Sequence, residues 1–159
     1  MNLINYIQKY GQISFKKMPF NDLDNLVFCS LAYLDYSGTC VDSGLHSIKE
    51  IGQDYLKTHR FKDVSKLGLS IKDAYKTLVE VINAPRFANV GMYDYVYLLD
   101  EETQFGAMTF IITPKLSFVA FEGTDQTMSG WKEDCLLACR FPVESHTLGA
   151  EYLKKHISL

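Results

Sequence analysis

The stretch FVAFEGTDQTMSGWKEDC, Phe118 to Cys135, contains the transition that decides the fold of this chain. An unbroken apolar run, FVAF, is typical of a strand, and it stops at a Glu-Gly-Thr-Asp turn before a Trp-bearing segment with helical character. In α/β proteins, ligands bind at the carboxyl ends of strands, where the chain passes into a helix. The stretch therefore predicts a functional site at the turn.

The residues before this stretch predict a mainly helical first half. Apolar residues at three- and four-residue intervals follow Asn21, a plausible N-cap, and Gly38 lies beyond the end of this helix; the apolar positions are Leu23, Leu26, Val27, Leu31 and Leu34. A short helix is predicted over Asn2 to Tyr10, ending at Gly11. Two further helices are predicted over residues 46–59 and 70–83, the second capped by Ser70 and ended near Pro85.

The second half begins with a predicted three-stranded meander. Residues 93–100 and 105–113 are rich in β-branched and aromatic residues, the polar EETQ segment between them suits a turn, and Ser117 to Phe121 forms the third strand. We expect this third strand to be central in its sheet. Helical patterns return at residues 129–139 and 148–157. The predicted class is α/β, with N-terminal helices, an antiparallel meander and then the start of a strand–helix alternation, in one domain over residues 1–159.

Composition and charge exclude several classes of protein. Apolar residues make up 47% and charged residues 22%, which is ordinary globular usage and argues against disorder. The 16 basic and 19 acidic residues are scattered, with no basic run longer than a pair, so nucleic acid is not expected as a partner. The first residues, MNLINYIQKYGQ, lack the pattern of a secretory signal, and no stretch has the length of a membrane span. We therefore expect a cytoplasmic protein.

The four cysteines carry no C-x-x-C spacing, and we expect buried free thiols at Cys29, Cys40, Cys135 and Cys139 without a metal or a disulfide. A two-ligand metal half-site at Cys135 and Cys139, which would share one helix face, is the alternative. A thiol-dependent enzyme using Cys29 or Cys40 is a further hypothesis, but the sequence shows no evident His partner for it.

From about Phe20 to the end, the sequence resembles the opening half of a bacterial family of uncharacterised, lipase-like α/β-hydrolases that are distantly similar to class-3 lipases. The segments that carry the resemblance are FNDLDNLVFCSLAYLDYSG, the stretch from Phe118 to Cys135, and ESHTLGAEYLKKH. The most specific part is an F-x-G-T-D turn followed by W-x-x-D, namely Phe121, Gly123, Thr124, Asp125, Trp131 and Asp134. Class-3 lipases typically carry Arg after the Phe, whereas this chain has Glu122.

The resemblance implies a role for each residue of the turn. Thr124 takes the oxyanion-hole position, where a backbone N–H at the end of a strand stabilises the transition state of ester cleavage by roughly 3 kcal/mol. Gly123 lets the backbone turn without a Cβ. Asp125, Trp131 and Asp134 support the turn and the helix that follows. The alternative for Gly-Thr-Asp is an ordinary strand-ending turn. For Trp131, a lone aromatic residue in a helical segment, we expect a core position.

The same resemblance requires a nucleophile that the sequence does not contain. There is no G-x-S-x-G elbow, and Ser37, Ser43 and Ser129, each followed by one glycine, lack its context. None of the histidines is carried over as a base; those at 46, 59, 146 and 156 precede the expected triad, and we expect His59 to be solvated and His156 to help cap a helix.

We therefore expect residues 1–159 to be the N-terminal portion of an α/β-hydrolase-like domain, truncated before the nucleophile elbow. The complete form is expected to hydrolyse carboxylic esters of lipid or other acyl substrates, without a cofactor, and this chain alone is expected to be inactive. The alternative is a non-catalytic binding or regulatory module on the same scaffold. The strand that ends at Phe121 would expose an edge, which favours self-association.

Overall fold

The computed structural model describes residues 2–64, 66–100, 103–123, 131–132 and 135–157. Within these residues the chain forms seven α-helices and a four-stranded sheet. The helices are α1 (Leu3–Tyr10), α2 (Asp22–Leu31), α3 (Ile48–Thr58), α4 (Phe61–Val64), α5 (Leu69–Val81), α6 (Pro85–Ala88) and α7 (Glu144–Ile157), with a 3-10 turn at Cys40–Ser43. The strands are β1 (His46–Ser47), β2 (Gly91–Leu99), β3 (Gln104–Thr113) and β4 (Leu116–Phe121).

The sheet confirms the predicted antiparallel meander. Its order is β1-β2-β3-β4 with every described pair antiparallel, and the hairpin between β2 and β3 closes at Leu99 and Gln104. The two-residue strand β1 was not predicted. The expectation that Ser117 to Phe121 is a central strand was wrong for the described sheet, because β4 pairs only with β3 there and forms an edge.

Strand β3 separates two apolar layers because its side chains alternate between the two faces of the sheet. Met108, Phe110 and Ile112 pack with the helices of the first half in the main core. Phe105 and Ala107 face the other way and pack with Tyr152 of α7. The result is a mixed α/β arrangement in which the sheet lies between the N-terminal helices and α7. Continuation into an α/β-hydrolase sheet stays a prediction.

Three of the four helices predicted in the first half begin with a side-chain N-cap. Asn2 caps α1, Asn21 and Asp24 form a capping box on α2, and Ser47 and Glu50 form another on α3. The predicted cap of α5 was wrong: this helix begins after Gly68 and has no side-chain cap, and Ser70 lies inside its first turn.

A buried ion pair joins α2 to α6. Arg86 donates from Nε to Asp24 Oδ1 at 2.8 Å, and both side chains are fully buried. The same guanidinium donates to the backbone carbonyls of Ile13, Met18 and Pro19 in the loop between α1 and α2. Because its charge and its donors are all paired, the buried arginine holds this loop against the helical core.

The apolar face predicted for α2 is only partly buried. Val27, Leu31 and Leu34 belong to the core, but Leu23 and Leu26 are exposed by 36% and 55%. These two leucines therefore follow the helical spacing of apolar residues without joining the core. They lie along a groove instead.

Candidate functional site

The predicted turn begins where β4 ends, and its first residues are held firmly. The backbone N–H of Glu122 donates to the carbonyl of Gly106 at 2.8 Å, extending the contact between β4 and β3 beyond the strand itself. A Cβ placed on Gly123 would lie 2.6 Å from the hydroxyl oxygen of Tyr33, which is closer than real Cβ contacts allow. A larger residue at position 123 would therefore need the hydroxyl end of the half-buried Tyr33 side chain, just after α2, to shift.

The remaining residues of the predicted turn have different outcomes. Thr124, Asp125 and Asp134 lie outside the described residues, so their predicted roles stay predictions. Trp131 is 61% exposed, and the expectation that its ring is part of the core was wrong. Its predicted support of the following helix stays a prediction. Of the carried-over positions, Gly123 is the one whose surroundings the structure describes in detail.

A groove runs from Tyr33 along α2. Its volume is about 470 Å³, and it lies between the N-terminal part of α1, the exposed face of α2 and the start of α5. Leu3, Leu23, Leu26 and Tyr33 supply most of its apolar surface. Tyr33 thus forms part of the groove and also contacts Gly123, which places the groove next to the predicted turn.

A second polar site, which the sequence did not predict, joins β2 to α7. The His156 ring nitrogen Nε2 lies 2.8 Å from Asp94 Oδ2 and 3.3 Å from Thr109 Oγ1, and Nδ1 lies 3.3 Å from the hydroxyl of Tyr93. Only 8% of the His156 side chain is exposed. The expectation that His156 caps a helix end was wrong, because its ring lies against the sheet.

The backbone at Asp94 is unusual. Its φ is 52°, a left-handed conformation that Asp tolerates better than most residues, and the β2–β3 register shifts between Tyr93 and Val96. The Tyr152 hydroxyl donates to the Asp94 carbonyl at 2.7 Å. Lys155 donates to the other carboxylate oxygen, Oδ1, at 2.6 Å. The bulge thus presents the carbonyl and both carboxylate oxygens of one residue to α7.

Charge in this cluster is balanced around Asp94. Burial of the carboxyl raises its pKa, but the hydrogen bonds and charges of Lys155 and His156 outweigh burial and hold the pKa below its ordinary value. Burial also raises the pKa of the Tyr152 phenol, which keeps this hydroxyl protonated at neutral pH. An open cavity of about 520 Å³ lies beside the cluster and is bordered by Tyr93, Tyr95 and residues 41, 42, 44 and 45.

This arrangement is suited to holding α7 rather than to activating a nucleophile. Both ring nitrogens of His156 have partners, and among its described contacts there is neither a serine hydroxyl nor a cysteine thiol. A nucleophile–base pair requires such a contact. A sequence signal was available, since an Asp between two tyrosines in an otherwise apolar strand needs a partner, but nothing in the sequence identified His156 as that partner.

The other histidines lie apart from both sites. His59 is half-buried, with its ring stacked on Tyr55 at a centroid distance of 4.0 Å, so the expectation that it is solvated was wrong. His46 contacts Ser43 at 2.9 Å, and His146 is exposed on α7.

The cysteines are free thiols, but they are less buried than expected. Cys29 and Cys40 are half-buried, whereas Cys135 and Cys139 are exposed, so burial of all four was a wrong expectation. Burial raises the pKa of both Cys29 and Cys40, which disfavours the reactive thiolate and weighs against a thiol nucleophile at either position. Within the described ranges, no group of three or more His, Cys, Asp or Glu residues is placed to hold a metal ion.

Comparison with known proteins gives one family match. Residues 81–159 match the Mbeg1-like family, which is related to the lipase-like α/β-hydrolases. The matched region runs from the end of α5 through the sheet to α7 and includes the turn at Gly123. It supports the resemblance found in the sequence over these residues, while residues 20–80 lie outside the match. Neither a curated protein nor a solved structure matches the chain.

The structure also addresses the predicted absence of a membrane span. In the part of the chain that is described, no helix is both long enough and apolar enough to cross a bilayer.

Proposed function

We propose that this chain is the portion of a lipase-like serine hydrolase that contributes a donor to the oxyanion hole, and that the hydrolase cleaves carboxylic esters. The observation that carries the proposal is the position of Gly123. It lies two residues after the last strand of the meander, a Cβ placed on it would lie 2.6 Å from the hydroxyl oxygen of Tyr33, and it lies within the region that matches the Mbeg1-like family. A glycine just after the end of a strand suits an oxyanion turn, because the backbone there must approach the substrate closely.

In this proposal the backbone N–H of Thr124 donates to the carbonyl oxygen of the ester as negative charge develops on it. A fixed donor stabilises this charge without reorganisation, which is why a single such group contributes about a hundredfold or more to turnover. The hydrogen bond from Glu122 to Gly106 and the contact of Gly123 with Tyr33 fix the two residues that precede this donor. The proposed contribution of the chain is therefore a preorganised donor beside a groove.

The nucleophile and its base have to come from sequence beyond these 159 residues. The chain contains no G-x-S-x-G motif, and the described contacts of His156 include no serine. A donor without a nucleophile and base supplies only a small part of the rate acceleration of the complete catalytic site. We therefore expect the 159-residue chain to show no hydrolysis of a short-chain nitrophenyl ester above background, and no labelling by a fluorophosphonate.

The decisive experiment uses the protein encoded by the complete reading frame. Thr124→Pro deletes the backbone N–H and should lower turnover by about a hundredfold or more. Thr124→Ala is the matched control, because it keeps the backbone N–H and removes only the hydroxyl and methyl groups of the side chain. Equal turnover of the Pro variant and the unmodified protein would contradict the proposal, as would a complete reading frame without a nucleophile elbow. A complete protein without hydrolase activity would instead favour the non-catalytic binding module.

A further inference from the structure

The groove along α2 has features that identify a ligand class. It is lined mainly by apolar side chains, and its volume of about 470 Å³ falls within the range of about 300–1,000 Å³ that is usual for small-molecule sites. Single exposed leucines are normal on protein surfaces. Leu23 and Leu26 differ from such leucines because both line the same concavity.

The length of the groove can be estimated from the positions of its lining residues along α2. Positions 23, 26, 30 and 33 all line it, at intervals of three and four residues. The eight steps from Leu23 to the end of α2 at Leu31 rise about 12 Å, and the next two residues, with i→i+3 hydrogen bonds, add about 2 Å each, so Tyr33 lies about 16 Å from Leu23. An extended alkyl chain with bonds of about 1.5 Å and angles of about 111° advances about 1.3 Å per carbon, so about ten to twelve carbons fill this distance.

The polar residues of the groove indicate the charge of its ligand. Asp73 contributes a carboxylate, Ser30 and Ser70 contribute hydroxyls, and no Lys or Arg occurs among the described lining residues. The nearby Lys76 bonds Asp73 at 3.2 Å. A free fatty acid would bring its own carboxylate to a site that offers no cation in its wall. A neutral ester or alcohol avoids this repulsion.

We propose that this groove binds one unbranched, uncharged alkyl chain of about ten to twelve carbons, with its polar end at Tyr33. In the serine hydrolase proposed above, on which this assignment of orientation rests, the chain is the acyl part of the ester. Because Tyr33 contacts Gly123, the carbonyl of such a chain would reach the turn while its methyl end lies near Leu23.

Binding can be measured without any hydrolysis, since a primary alcohol has no ester bond. We would titrate the isotope-labelled 159-residue chain with hexan-1-ol, octan-1-ol, decan-1-ol and tetradecan-1-ol and follow its amide NMR signals. Signals from α1 and from residues 23–33 should shift. The dissociation constant should fall about fourfold for each added methylene, as expected for apolar burial, and should level off at about ten to twelve carbons.

Two variants of one exposed leucine test the location. Leu26→Asp places a charge in the groove and Leu26→Trp fills it, and each should weaken binding of decan-1-ol at least tenfold. Leu153→Asp is the matched control, because Leu153 is also an exposed helical leucine but lies on α7. The dispersion of the amide spectrum shows that each variant is folded.

Several results would overturn the assignment. One is the absence of saturable alcohol binding, and another is a set of amide shifts confined to other surfaces. A third is an equal loss of decan-1-ol affinity in the Leu153→Asp variant. The fourth is an alcohol affinity that keeps rising beyond twelve carbons. Shifts of the same amides with protein concentration alone would mean that a second copy fills the groove, which also overturns it. Failure here would leave the test at Thr124 untouched, and failure of that test would leave alkyl binding intact, so the two proposals are distinguishable.

Discussion

His156 in the last turn of α7 lies with Nε2 2.8 Å from Oδ2 of Asp94, although 62 residues separate the two in sequence. Asp94 occupies the bulge of β2, and its left-handed backbone directs both carboxylate oxygens toward α7. Tyr152, one turn earlier on the same helix, bonds the carbonyl of Asp94. The bulge and the end of α7 therefore form one polar contact that complements the apolar packing of this helix on β3.

Replacing Asp94 with Asn should destabilise the chain in a pH-dependent way. Asn also tolerates the left-handed backbone, so the change mainly removes charge. At pH 7 we expect the free energy of unfolding to fall by about 1–2 kcal/mol, the scale of charged hydrogen bonds with partial solvent screening. Because the pKa of Asp94 is lowered in the folded chain, its contribution is present above the ordinary value of 3.8 and is lost as pH falls below it.

Urea unfolding of both proteins between pH 3 and pH 7 checks this expectation. Asp63→Asn is the control, because Asp63 forms an exposed ion pair with Lys66 at 3.8 Å and its loss should cost little. A constant difference between Asp94→Asn and the unmodified chain across this pH range would show that the carboxylate charge does not hold α7.

Gly123→Ala should destabilise the chain through Tyr33. The added Cβ would lie 2.6 Å from the hydroxyl oxygen but 3.6 Å from the ring carbon that carries it. We expect a loss of about 1 kcal/mol, at the low end for overpacking, because the clash is with the far end of a half-buried side chain that can shift. Tyr33→Phe removes the clashing oxygen, so the double variant should recover most of the loss in chemical denaturation.

Gly38→Ala is the control for the comparison of Gly123→Ala, Tyr33→Phe and the double variant. Gly38 has a φ of 78° and open space around its Cβ position, so its substitution strains the backbone without a clash. Tyr33→Phe should not rescue it. If the Phe substitution rescues neither glycine variant, the contact between Tyr33 and Gly123 does not determine the need for glycine.

The elements of the fold that could be predicted are those whose signal lies within a few consecutive residues. The N-cap at Asn21 and the β-branched and aromatic residues of β3 lie within a few consecutive positions, so the start of α2 and the meander could be predicted. The two-residue strand β1 is too short to show a period. Leu23 and Leu26 have the same helical spacing as the core residues of α2. Whether they are buried depends on which other elements pack over them, and a local pattern does not contain that information.

In the candidate sites, too, contiguous motifs could be predicted and long-range contacts could not. The motif around Gly123 could be located because it is contiguous, whereas its contact with the hydroxyl of Tyr33, 90 positions earlier in the numbering, leaves no local signal. The pairing of Asp94 with His156 depends on a bulge and on the docking of α7, and the pairing of Asp24 with Arg86 depends on where α6 packs. Such long-range contacts leave no periodic signal in a single sequence.

Self-association should occur through the edge formed by β4. In the described sheet this strand pairs on one side only, with β3, and its first residue, Leu116, is 40% exposed. An open strand edge with an apolar side chain favours pairing with another chain, and a lysine on the edge opposes it. We therefore expect concentration-dependent dimers of the 159-residue chain in sedimentation velocity, and Leu116→Lys should weaken dimerisation about tenfold. Leu153→Lys, on α7, adds the same charge away from the edge and should leave dimerisation unchanged. A monomer at all concentrations, or equal weakening by both lysines, would show that β4 is not the contact.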